Sequence, residues 1–168
     1  MIENPLHEWD PHRYMIVVRH PDRPRERRMA IGYWAADNSG SDIAMKLMSA
    51  VVSAIKGGPL PHPSNFVDED WDEKEKEMVA KYLKSYTAND PRKAWGLKPT
   101  EKSGPQIVTS WRGFSTCRIC GKRPNGSSCV GDDRFIWPSG FAHYIEEHSV
   151  RPPKEFINHV RERTTKSK

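Results

Sequence analysis

The sequence predicts an α+β chain in two parts: a β-hairpin with two helices over residues 1–109, and a compact ββα-like unit over 110–168. Three observations carry this. Two β-branched, apolar runs flank a charged, Pro-rich tip near the start. Two stretches show apolar residues at helical spacing. The last third holds "CRIC" and "HYIEEH", whose cysteines and histidines are arranged as four ligands of one centre.

The hairpin is expected over 13–35. "RYMIVVR" (13–19) and "RMAIGYWA" (28–35) read as strands. "HPDRPRER" between them carries Pro21 and Pro24 and is assigned to the exposed tip.

"NSGSD" supplies a turn and a cap for a helix over about 42–56, where Ser41 or Asp42 can accept from free backbone N–H groups. Its core stripe is Ile43, Leu47, Val51 and Ile55, and Gly57–Gly58 ends it. "PLPHPSNF" (59–66) is a stiff linker in which His62 reads as an exposed loop residue.

The second helix is expected over about 70–86. Acids crowd its start and Lys81 and Lys84 lie near its end, which suits the helix dipole. Trp71, Met78 and Tyr82, with Val79 and Leu83, form its apolar side. Residues 87–109 show little periodicity and read as an irregular connection, the natural boundary between the parts.

Composition bounds the function. At 36% hydrophobic and 29% charged, the 168-residue chain has a lean core that gains from a staple. No apolar run approaches the ~20 residues of a membrane span, and the start lacks a secretory signal, so a cytoplasmic protein is expected. Three cysteines, two of them as CxxC, point to reduced thiols and a metal, not a disulfide framework.

Cys117 and Cys120 frame a turn closed by Gly121, so both sulfurs can point to one side. A redox CxxC would open a helix, whereas "GKRPNGSS" is a loop. His143 and His148 lie on a helix that starts near Pro138–Ser139. Residues five apart differ in direction by about 140°, so the two can share an ion only if the helix tightens or ends at the second. "VRPP" forces an ending there. The expected ligands are therefore Cys117, Cys120, His143 and His148, with Zn2+ as the ion. A Cys3His set using Cys129 is the alternative.

With a turn at Asn125–Gly126 and a strand-like "RFIW", the order becomes knuckle, hairpin, helix. Over about residues 114–150 the chain resembles the Cys2His2 zinc-finger class, which implies a ββα unit on one structural zinc. Its middle segment of 22 residues exceeds the about 12 of DNA-reading fingers. Among fingers, long spacers imply protein-interaction or structural units.

Catalytic motifs fail. A zinc protease needs HExxH, but Tyr144 follows His143; a deaminase needs HxE before its cysteine pair. No catalytic residue is expected, and a zinc-dependent hydrolase is the third reading.

"RPPKEFINHVRER" should form a last helix with Pro153 in its first turn, packing Phe156, Ile157 and Val160 inward and leaving His159 at the surface. The excess charge lies here: residues 110–168 carry eleven Lys and Arg against six acids. Arg151, Lys154, Arg161 and Arg163 form a basic edge, the candidate binding surface. The first expectation is thus a zinc-binding regulatory or protein-interaction module whose partner is another protein. The second is a nucleic-acid-binding regulator that uses the basic edge.

Overall fold

The computed structural model describes residues 16–20, 23–34, 62–86, 104–110 and 113–166. The helix expected over 42–56 lies outside them. Within them the chain is mixed α+β, with one five-stranded sheet and three α-helices.

Strand β1 (Ile16–His20) pairs antiparallel with β2 (Arg23–Ala30), so the expected hairpin forms. Its second strand starts earlier than expected and takes in "RPRERR", which had been assigned to the tip. Among the described residues, only Met29 and Ala30 of β2 pair with β5, so Pro24 lies in a stretch of β2 that pairs with β1 alone.

A 3-10 turn (Pro63–Phe66) precedes α1 (Glu73–Lys84). Asp72 caps α1 by accepting from the Glu75 N–H at 2.8 Å. Val79, Tyr82 and Leu83 turn inward at helical spacing, as expected.

Strand β3 (Gln106–Ser110) was not expected; it lies at the end of the segment read as an irregular connection. It pairs with β4 (Ser128–Gly131), which pairs with β5 (Phe135–Pro138), both antiparallel. Helix α2 (Phe141–His148) follows, then α3 (Lys154–Lys166). The strand order is β1-β2-β5-β4-β3, and β2 joins β5 in parallel.

The sheet therefore runs across the boundary expected between 1–109 and 110–168. β3 straddles it, and Met29 N–H donates to the Arg134 carbonyl at 2.8 Å. Knuckle, hairpin and helix follow in the expected order over 114–150, but the hairpin turns at 132–134 and not at Asn125–Gly126, and the unit is built into a larger sheet.

One core serves all of this. Phe135 and Trp137, two residues apart on β5, point to the same side and are fully buried. They share one hydrophobic cluster with Val79 and Leu83 of α1, Phe141 and Ile145 of α2, and Phe156 and Val160 of α3. Pro153 opens α3 by accepting from the Phe156 and Ile157 N–H groups.

Candidate metal centre

Cys117 and Cys120 sit at the tip of a narrow loop. Its base is tied by the Ser115 N–H to the Gly126 carbonyl (2.9 Å) and the Asn125 N–H to the Ser115 carbonyl (2.8 Å). At the tip the Gly121 N–H returns to the Cys117 carbonyl at 3.0 Å, and the Cys117 N–H donates to Lys122 at 2.9 Å. Gly121 takes a left-handed φ of 72°, which an L side chain resists. No helix follows; residues 121–127 are irregular, as expected for a knuckle and not a redox site.

The loop is seated on the start of α2 through Gly140. A Cβ there would lie 2.2 Å from the Asn125 carbonyl oxygen, so only glycine allows this approach. The sulfurs thereby reach the helix that carries both histidines.

His148 is the last residue of α2. Ser149 adopts a left-handed φ of 50°, and the Ser149 and Val150 N–H groups fold back to the Ile145 and Tyr144 carbonyls. Residues 149–151 then pair with 66–68: Asp68 N–H donates to Ser149, Arg151 N–H donates to Phe66, and Val67 bridges Val150. The helix ends where the spacing of the histidines requires it. Their ring centroids are 5.1 Å apart.

The four side chains converge. Cys117 Sγ lies 3.4 Å from His148 Nε2, and Cys120 Sγ lies 3.4 Å from His143 Nε2. All four ligand atoms fall within 4.8 Å of one another. A tetrahedral zinc, with Zn–S of about 2.3 Å and Zn–N of about 2.0–2.1 Å, gives S···N edges of about 3.5 Å. The donor set and its spacing fit that ion.

The electrostatics fit as well. Burial, aided by the nearby Lys122 charge and His148, lowers the His143 pKa, which favours the neutral imidazole that a metal needs. Burial pushes the Cys117 thiol up, against the backbone N–H groups of Cys120 and Ile119 aimed at its sulfur. A dication between the ligands would outweigh that burial and hold both sulfurs as thiolates.

Cys129 is not in this group. It is buried on β4 with its sulfur against the Tyr33 hydroxyl, and burial pushes its thiol up to about 11.

The candidate binding edge is largely engaged within the chain. Arg151 pairs with Asp68 at 2.8 Å and Glu75 at 3.5 Å, and its guanidinium lies 5.8 Å from the Trp71 ring centre. Arg161 also pairs with Glu75, and Arg163 pairs with Asp133. Lys154 is exposed.

His159 corrects an expectation. It is buried, 3% exposed, and not at the surface. Its Nε2 meets Asp132 Oδ2, which also accepts from the Tyr82 hydroxyl at 2.7 Å. The Asp132 Oδ1 accepts from the Arg134 and Phe135 N–H groups at the β4–β5 turn. The one sequence signal was an Asp at a hairpin turn, where such side chains bond the backbone ahead.

Residues 87–161 match a family described as a domain of unknown function (DUF7919). That span holds all four candidate ligands and begins after α1. No curated protein and no solved structure matches the chain. No helix among the described residues is long and apolar enough to cross a membrane.

Proposed function

We propose that this chain is a small zinc-binding module whose zinc is structural and whose task is to hold another protein. The observation that carries the reading is the closed set of Cys117, Cys120, His143 and His148 at tetrahedral spacing. Four protein ligands fill a tetrahedral ion, whereas a catalytic zinc keeps a position for water. Of the acids between the histidines, Glu146 is drawn into a pair with Lys84.

The surface around the centre supports a protein partner. Phe114 and Ile119 are exposed apolar side chains on the knuckle loop. Beside His143 lies an open depression of about 460 Å3, lined in part by Lys84, Tyr86, Lys122 and Pro124. Apolar anchors with charged neighbours suit a protein contact. The nucleic-acid reading loses ground because Arg151, Arg161 and Arg163 are already paired with acids of this chain.

The test is a pull-down from the native host at low and moderate salt, with metal measured on the same sample. One stable protein band with one zinc per chain supports the reading. A nucleic acid lost as salt rises would replace the protein partner.

A further inference from the structure

The peptide groups of the CxxC turn are gripped from outside the turn, by two side chains that are not ligands. Tyr144 follows His143 on α2 and is 4% exposed. Its hydroxyl oxygen accepts from the Arg118 N–H at 2.8 Å. On the other side, His62 Nε2 lies 3.2 Å from the Arg118 carbonyl. His62 Nδ1 accepts from the Ser64 N–H and lies 2.7 Å from the Ser64 hydroxyl, so Nε2 carries the proton and donates to Arg118. Both polar groups of the Arg118 backbone, between the two cysteines, are thus fixed by Tyr144 and His62.

We propose that Tyr144 and His62 are positioning residues of the metal centre: by holding the Arg118 N–H and carbonyl they lock the knuckle in its binding geometry. This rests on the zinc reading above. It makes the 62–68 segment part of the centre, although that segment precedes the matched span. A fixed turn reduces the ordering that binding requires. Outer partners of this kind change metal affinity by about 10–100-fold.

The test uses the full chain with Tyr144→Phe and His62→Ala, titrated with zinc against a chromophoric chelator and with cobalt(II) for its thiolate-to-metal band. Phenylalanine keeps the buried ring, so Tyr144→Phe should still fold and bind one ion. The expected result is zinc binding about 10–100-fold weaker in Tyr144→Phe, with a shifted cobalt band. His62→Ala should also weaken binding, because it frees the other polar group of the Arg118 backbone. Unchanged affinity and an unchanged band in Tyr144→Phe would overturn the inference while leaving the zinc site standing. A wild-type chain that takes up neither metal would overturn both.

Discussion

His159 Nε2 stands 2.7 Å from Asp132 Oδ2, and the two residues are 3% and 0% exposed. With the Tyr82 hydroxyl on the same oxygen, this pair ties α1, the β4–β5 turn and α3 together away from the candidate metal centre. Truncating one member leaves the other buried without its partner. His159→Ala should therefore lower unfolding free energy by about 3–5 kcal/mol, read by urea denaturation of the zinc-loaded chain. Tyr82→Phe should cost less, about 1.5–3 kcal/mol, the range for a hydrogen bond to a charged group.

The same network gives a pH dependence. Burial alone would raise the Asp132 pKa, but the bond and charge of His159, the Phe135 N–H and the Tyr82 hydroxyl more than offset it. The carboxyl therefore stays below the ordinary aspartate value of 3.8. A depressed folded pKa contributes stability above the unfolded value and loses it as pH falls through the folded one. Between pH 6 and 2, wild type should lose this contribution below about pH 4, whereas Asp132→Asn should lack it throughout. Zinc release in acid is common to both proteins, so the difference between their unfolding midpoints is the readout. A constant difference across this range would count against the charged pair.

Gly140 tests how the knuckle is seated. Gly140→Ala places a methyl group on the Asn125 carbonyl. The backbone must move, and overpacking of this kind costs about 1–3 kcal/mol. Thermal melts of the zinc-loaded variant should show the loss, and zinc affinity should fall with it because the loop carries both cysteines.

Cys129 separates the two ligand sets. Cys129→Ala should retain one zinc per chain, because its sulfur faces Tyr33. Cys117→Ser should lose zinc and unfold the C-terminal third, since a structural zinc supplies folding free energy directly. Loss of zinc in Cys129→Ala would favour the Cys3His set.

The four candidate ligands were legible because cysteine and histidine spacing is discrete and "VRPP" announces the helix end. The first hairpin, α1 and the knuckle-hairpin-helix order were legible from periodicity and breakers, although the second hairpin turns at 132–134 and not at Asn125–Gly126. Three features were not. β2 reaches back through Pro24, and among the described residues only Met29 and Ala30 of it pair with β5; tertiary neighbours are invisible to a local pattern. β3 contributes only "QIVTS", too short a run to stand out from a breaker-rich segment. His159 sits in a charged stretch and looked solvated; its partner lies 27 residues back, and only the packing of α3 on the hairpin turn brings them together. The arginines show the same limit: as a string they make a basic edge, and in space most meet an acid.

The most direct measurement is zinc-edge X-ray absorption on the purified chain, with metal content determined on the same sample. The expected result is one zinc per chain with two sulfurs at about 2.3 Å and two nitrogens at about 2.0–2.1 Å. A chain without zinc, or a shell in which water oxygen replaces one of the four ligands, would contradict the closed structural site.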